Sequence, residues 1–382
     1  IDRSAREKEA TLVLVTTAGP LHRGVVHALE EKTIPVFGPR RSAARLETDK
    51  AYCRQLLRKY AIGSIPAFGV FTEPAAAIRY ARNLNWNVAV KPAGLTEGLG
   101  VRVYGEQLDA PEAVRAYIDD IFRKEIGGGS KVIIEEKLTG EEFTIQCLVD
   151  GEKIISTPAV QDFKKLRKGD RGPNTASMGS YSSPGDLLPF MEEEDYNRAL
   201  AIVRTTLEAF TKETGRSCRG FLYGQFMKTA SGLKLIEYNF RPGDPEWLNT
   251  SIILQSDLLA AIAGLMGGGK AELQFENRAT VCLYLVPPAY PRKMNRVLDI
   301  DFDEKAVRET GVRLYYSCGR DEDGKLNVGA ERGIALAAKG LTISDARRKI
   351  MAVIPFIKGD YHYRDDIGSS NMSAAPEGSK ES

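Results

Sequence analysis

The chain has 382 residues, 43% hydrophobic and 27% charged, enough material for packed cores in two or three structural units. Its 53 Lys and Arg against 51 Asp and Glu leave a balance of +2, which gives no reason to invoke nucleic acid or a membrane surface and directs attention to small-molecule partners. Five cysteines with no CxxC pair, lying far in sequence from the three histidines, indicate neither a disulfide framework nor a zinc cluster. They fit a reducing, cytoplasmic compartment, with no signal peptide and no apolar run of the roughly 20 residues a membrane span needs.

In chain order, TLVLVTT (11–17) reads as a buried strand, HRGVVHALEEK as a helix and IPVFGP as the next short strand, together a βαβ fragment. The charged segment IDRSAREKEA before it lacks the glycine-rich strand-to-helix turn that opens most nucleotide-type α/β domains, so a truncated or shortened first domain is expected over 1–45. One helix is predicted from about Ala43 through Tyr60, ending near Gly63. EPAAAIRYARNL and NVAVKPAG continue as helix and strand; VIIEEKL and FTIQCLVDG are strands, with a hairpin turn at Asp150–Gly151.

Glu194 to Glu213 is the strongest helix, with Ala199, Val203, Leu207 and Phe210 on one stripe and Gly215 as its stop. FLYGQFMKT and LKLIEYN pair as a hairpin across ASG, and SIILQSDLLAAIAGLM is predicted as a second long helix. A last unit begins near Gln274, with strands at TVCLYLV and VRLYYSC and a helix from about Ser344; the tail SSNMSAAPEGSKES is expected to be disordered. The whole is α/β and α+β in class. GLMGGGKA (264–271) imitates a phosphate loop, but it ends a helix and has Ala271 where a hydroxyl is needed, so it is read as a helix C-cap and linker.

Four stretches carry candidate chemistry. In KPAGLTEGLGV (91–101) Lys91 closes an apolar strand, and Gly94, Gly98 and Gly100 would let backbone amides approach phosphate oxygens. In VIIEEKLTGEEF, alternation puts Val132, Ile134 and Glu136 on one face and Ile133 and Glu135 on the other; a nucleotide would use such carboxylates as acceptors for an amino group and for ribose hydroxyls. In LIEYNFRPGDPEW, Glu237 and Asn239 share a strand face with Leu235, Ile236 and Tyr238 taking the other; a carboxylate beside an amide oxygen suits Mg²⁺. QDFKKLRKGDRGPNTASMGSYSSPG (161–185) reads as a long functional loop.

Together with IPVFGP, FLYGQFM and HYRDDIG, these stretches resemble the ATP-grasp ligases, most closely the phosphoribosylamine–glycine ligase (glycinamide ribonucleotide synthetase) family in its archaeal form, from about Leu12 to Gly368. The resemblance implies an ATP-grasp fold over 46–272 with a lid subdomain at about 65–135, after a partial N-terminal βαβ domain and before a small C-terminal α+β domain at 273–368. It implies that Lys50 and Lys91 contact ATP phosphates, that Glu135, Glu136 and the backbone near Leu138 read adenine, and that Glu142 holds ribose. Glu237 and Asn239 would bind Mg²⁺, with Mn²⁺ an alternative. Gly172, Pro173, Asn174, Thr175, Met178 and Gly179, with Asp162, Arg241 and Asp244, would face glycine and phosphoribosylamine, and Lys91, Arg241 and Asp162 would serve catalysis. A monomer without nucleic-acid or membrane partners is implied.

The sequence departs from the family pattern at Leu99, where a lysine is usual, at Phe163 (QDHK to QDFK), at Ala176 and Ser177 (GPNTGGMG to GPNTASMG), and at Pro242. The loss of a phosphate contact at Leu99 corresponds to roughly 1.5–3 kcal/mol. Two other functions compatible with these departures are an ATP-grasp ligase for a different carboxylate and amine, and a nucleotide-binding paralogue with little turnover.

Overall fold

The computed structural model describes residues 10–96, 100–291, 297–298, 300–317, 319–320, 326–327 and 332–369. They divide into two units: one from Ile1–Thr157, Phe190–Gly243 and Ser256–Leu273, the other from Pro158–Pro189, Asp244–Gln255 and Gln274–Ser382. The tail predicted to be disordered lies outside the described residues from 370 onward.

The first unit opens with Val13–Leu14 and Val36–Phe37 paired in parallel. The single helix predicted between them is two, Ala18–His22 and Val25–Glu30, because Gly24 takes a left-handed conformation (φ 80°) that no helix interior accommodates. Leu21, Val26, Leu29 and Val36 pack together beneath. The helix predicted from Ala43 to Tyr60 is likewise broken, into Arg41–Thr48 and Lys50–Lys59. At the break Asp49 leaves helical geometry (φ −135°) and its carboxylate accepts the Tyr52 amide at 2.9 Å, capping the second helix. Lys50 thereby occupies a helix N-terminus rather than a helix interior.

Next comes a four-stranded antiparallel sheet in the order Phe68–Phe71, Val132–Glu136, Val88–Pro92, Arg102–Val103. Helices Pro74–Asn83 and Pro111–Arg123 cover the face that bears Val88, Val90, Val132 and Ile134. The opposite face bears Ile133, packed with Ala51 and Phe68, and it is this face that carries Lys91 and Glu135, since Lys91 pairs with Ile133 across the strands.

A second four-stranded sheet runs Gly232–Asn239, Arg219–Thr229, Gly140–Asp150, Lys153–Ser156, all antiparallel. The long helix Glu193–Thr214 packs on it, held at its start by a capping box of Glu192 and Asp195 and stopped at Gly215 (φ 68°). Helix Leu258–Gly267 ends at a left-handed Gly268 (φ 78°), the glycine stop expected from GLMGGG.

The second long helix predicted from Ser251 does not form. Helix Glu246–Ile252 belongs to the second unit and Leu258–Gly267 to the first. Between them Leu254 bridges Phe275, the Gln255 amide bonds Gln274 O, and Asp257 caps the next helix through the Ala260 amide: a local partner is on offer for each group the continuous helix would have used.

The second unit is a five-stranded antiparallel sheet in the order Arg313–Tyr316, Ile334–Gly340, Ala279–Leu285, Gly179–Ser182, Gln161–Asp162, with helix Ile343–Val353 packed on it. The segment 161–185, expected as one long loop, is largely strand. Its middle is a hairpin of Lys165–Arg167 and Arg171–Asn174. HYRDDIG explains the order: Arg364, fully buried, donates to Asp170 at 2.6 Å and to Lys165 O at 3.2 Å, while Asp366 accepts from Arg364 and from the Gly169 amide.

Gly220 (φ 137°) stands where the second sheet meets the IPVFGP turn: a Cβ there would lie 3.0 Å from Gly38 Cα and from Pro39 Cδ. Both the backbone and the contact penalise a side chain. Gly220→Ala is expected to lose about 1–3 kcal/mol, read as a lower urea midpoint at unchanged slope.

Candidate active site

The first unit buries three charged side chains together. Glu135 Oε1 accepts from Arg54 Nε at 2.6 Å, and Glu135 Oε2 from Lys91 Nζ at 2.7 Å and Arg54 Nη2 at 3.2 Å. Each of the three residues is 5% exposed or less. Burial alone would push the Glu135 carboxyl up, but the Arg54 and Lys91 cations beside it prevail and bring it down to about 2. Two cations on one carboxylate leave the cluster one positive charge in excess, a setting that favours an anion such as phosphate. Lys50 adds a further cation: its amide bonds Ala93 O and its Nζ reaches Gly94 O at 3.3 Å.

In the glycine-rich segment, the Gly94 amide is donated to Gly127 O at 3.1 Å, and a Cβ on Gly94 would lie 2.3 Å from that same oxygen. Gly94 is therefore required by the Gly127 turn. Gly100 O accepts the Tyr117 hydroxyl. Gly98 and Leu99 lie outside the described residues.

Glu136 faces away from Glu135, as the alternation predicts, and its Oε1 accepts the Ala67 amide at 3.0 Å. Leu138 is half-buried in the three-residue link between the two sheets. Glu142, on the second sheet, accepts from Gln225 Nε2 at 2.6 Å.

Glu237 and Asn239 do share a strand face, with Asn239 Nδ2 at 3.4 Å from Glu237 Oε1. Leu235 does not join them. Gln225 pairs with Glu237 but the next residue, Phe226, pairs with Leu235, so Ile236 is the extra residue of a β-bulge and the alternation inverts across it. Leu235 and Tyr238 turn into the core, both 2% exposed or less, while Glu237 and Asn239 line up with Gln225 and Tyr223, and through them with Thr144 and Gln146. Two hard oxygen donors side by side fit a hard divalent cation with further ligands from outside the protein; among the described residues there is no group of three or more His, Cys, Asp or Glu that could hold a metal.

Three residues not singled out from the sequence organise this face. Arg54 also donates to Ile236 O at 2.5 Å, tying the bulge to the Lys91–Glu135 pair. Glu47, 5% exposed, accepts the Phe240 amide at 2.9 Å and pairs with Arg241 Nε at 3.4 Å; burial raises its pKa against those two contacts. Arg241 in turn donates to Asn239 Oδ1 at 3.2 Å. Gln146 accepts the Gly243 amide at 2.7 Å, and its Nε2 is buried without a partner. Arg54 and Glu47 read in the sequence as ordinary charged helix positions; only the register of the bulge reveals them.

In the second unit, Asp162 is buried with Lys164 Nζ at 3.8 Å. Gly172 and Pro173 are exposed and Asn174 half-buried on the hairpin; Thr175 turns inward, its amide and hydroxyl both on Lys164 O, and Met178 and Gly179 are buried. Asp244 pairs with Arg332 Nη2 at 2.6 Å and accepts the Tyr284 hydroxyl; Arg332 Nη1 also donates to Ala176 O at 2.6 Å and to Asp244 O at 3.0 Å. Of the two departures in this loop only Ser177 has a left-handed backbone (φ 85°), and its hydroxyl compensates locally by bonding Gly179 O at 3.0 Å. Phe163 stacks on Tyr181 beneath Arg364.

The two antiparallel sheets, one carrying Lys91 and the other the Glu237–Asn239 pair, are joined through Arg54, and the fold is that of an ATP-grasp protein. Biotin carboxylase from Campylobacter jejuni has this fold (TM-score 0.70, 14% identity, 96% of this chain and 79% of that one). The phosphoribosylglycinamide synthetase family models match here: the ATP-grasp (A) domain over residues 48–247 and the N domain over 1–47. The chain belongs to that family. It is 44% identical over 373 residues to the phosphoribosylamine–glycine ligase of Methanopyrus kandleri (96% of this chain, 83% of that protein) and 42% identical over 371 residues to that of Methanothermobacter thermautotrophicus (97% and 85%). The crystal structure of the Thermotoga maritima phosphoribosylamine–glycine ligase superposes with a TM-score of 0.77 at 27% identity, covering 90% of this chain and 84% of that one.

Because the folded-state pKa of Glu135 is depressed, its contribution to stability is fully present above the ordinary carboxylate value of 4.5 and is lost as pH falls toward about 2. The stability gap between the unaltered chain and Glu135→Gln is expected to narrow through that window in urea titrations; a gap constant with pH contradicts the assignment. Gln146→Leu removes the acceptor of the buried Gly243 amide and is expected to cost about 1–3 kcal/mol, read as a lower urea midpoint.

Proposed function

We propose that the chain is an ATP-dependent carboxylate–amine ligase of purine biosynthesis, joining glycine to 5-phosphoribosylamine through glycyl phosphate to give glycinamide ribonucleotide, ADP and phosphate. The observation that supports this is that Arg54 bonds both Glu135, the partner of buried Lys91 on one sheet, and the carbonyl of Ile236, next to the Glu237–Asn239 pair on the other. The name shared by the relatives favours this reading over a ligase for another pair of substrates or a paralogue without turnover.

In this reading Lys50 and Lys91 bind the triphosphate, and Glu237 and Asn239 hold Mg²⁺ or Mn²⁺, which supplies charge neutralisation when bound. Glu142, fixed by Gln225, is the ribose acceptor, and the backbone near Leu138 with Glu136 borders the adenine; Glu135, expected there with them, has both oxygens engaged by Arg54 and Lys91 and is left out of that role. Arg241, aimed by Glu47, meets the carboxylate substrate. Asp162, the 172–179 segment and Asp244, which Arg332 orients, serve the phosphoribosylamine. The glycine carboxylate attacks the γ-phosphorus, the bond to ADP breaks, and the amine then displaces phosphate from the acyl carbon to leave an amide. No protein nucleophile is required; positioning and charge cancellation supply the rate. The substrates are small molecules, and the location proposed is the cytoplasm; no helix among the described residues is long and apolar enough to cross a membrane.

Phosphate release with ATP, glycine and phosphoribosylamine, set against a panel of other amino acids, tests the reading: glycine is expected to dominate, and silence with glycine alongside turnover of another amino acid would reject it. Glu237→Gln is expected to lower metal-dependent turnover by about 100-fold or more while circular dichroism and melting stay unchanged. An unaltered rate removes Glu237 from the metal site.

A further inference from the structure

The geometry points to Arg54 as the positioning residue that lets Lys91 change partners: when a phosphate arrives, Lys91 leaves Glu135, and Arg54 alone keeps that carboxylate seated. This rests on the nucleotide reading given above. Glu135 Oε2 is shared between Lys91 Nζ at 2.7 Å and Arg54 Nη2 at 3.2 Å, while Oε1 belongs to Arg54 Nε at 2.6 Å. Held this way, Lys91 gives one of its three N–H donors to the carboxylate whose charge it offsets, and turning the ammonium fully onto a phosphate loosens that pair. All three side chains are buried, so the carboxylate that Lys91 leaves does not turn to bulk water.

For Lys91 to move, the carboxylate must keep a cation on each oxygen, or an unpaired charge is left out of water. Only a planar guanidinium does this, because its Nε and Nη2 address both oxygens at once; a lysine at position 54 could address one. The third contact, Arg54 Nη2 to Ile236 O at 2.5 Å, anchors the guanidinium to the bulge, so that it does not follow Lys91. The carboxylate that neutralises Lys91 without ligand becomes Arg54's partner with ligand.

The test is calorimetric titration of ATP with magnesium into the full chain, Arg54→Lys, Lys91→Met and the double variant, each first shown to melt cooperatively. Arg54→Lys is expected to weaken ATP about tenfold with the KM for the carboxylate substrate unmoved, and the double variant to bind no more weakly than Lys91→Met alone. Unchanged affinity in Arg54→Lys, or losses that simply multiply in the double variant, would overturn the inference while leaving the ligase reading intact. Absence of ATP binding by the unaltered chain would overturn both. Should Arg54→Lys not fold, a crystal structure of the unaltered chain with a non-hydrolysable ATP analogue decides: Lys91 Nζ on a phosphate oxygen with Arg54 still on both Glu135 oxygens supports the exchange, and Lys91 still on Glu135 refutes it.

Discussion

A carboxylate kept out of water beneath two cations is the interaction on which the first unit depends. Glu135 belongs to the first four-stranded sheet, Arg54 to the Lys50–Lys59 helix, and Ile236, which Arg54 also holds, to the second sheet. Three elements of one unit are thus joined by hydrogen bonds that are worth most where water is absent. Such a joint is not chosen for stability: apolar residues of like volume would hold the pieces at least as well, since burying ions costs several kcal/mol apiece. What apolar residues would not supply is an excess positive charge at a fixed place.

The bulge at Ile236 is the second constraint. Without it, the strand's alternation would put Glu237 and Asn239 on the same face as Leu235, among buried apolar groups. With it, one strand serves two masters: Leu235 and Tyr238 both enter the core, Tyr238 bonding Thr206 at 2.8 Å, while the polar pair faces the opposite way beside Gln225. The extra residue leaves its carbonyl unused by the ladder, and Arg54 takes it. The same guanidinium therefore secures both the bulge beside Glu237 and Asn239 and the carboxylate paired with Lys91.

Much of this was legible in the sequence, and the misses have local causes. Strands with clean alternation, such as Val132–Glu136, fell where periodicity places them, and so did the helix ended by Gly215. The helices predicted as continuous through Asp49 and through Gln255 failed because short polar side chains offer the backbone a cap that competes with the helix, an option invisible to apolar periodicity. The bulge escaped because alternation read along one strand carries no information on how its neighbour is registered. Arg54, Glu47 and Gln146 escaped for a related reason: each acts on a residue far away in the chain, by 182 positions for Arg54 and Ile236, 193 for Glu47 and Phe240, and 97 for Gln146 and Gly243.

The loop departures are also intelligible once the second unit is seen. Where the family pattern has glycine, Ser177 retains a glycine-like backbone, and the strain of a β-carbon at positive φ, of order 1–3 kcal/mol, is offset by hydrogen bonds its own hydroxyl provides. Ala176 needs no such help, because its φ is not positive and its carbonyl is taken by Arg332, the guanidinium that also pairs with Asp244. Two substitutions that look from the sequence like losses of flexibility are thus absorbed into one clamp, in which Arg332 fixes the segment Ala176–Ser177 and the Asp244 carboxylate together. A substitution tolerated in this way alters the freedom of the loop more than its resting shape. The rigidity that results falls on the Ala176–Ser177 segment and Asp244, and none of it on the cluster of Arg54, Glu135 and Lys91.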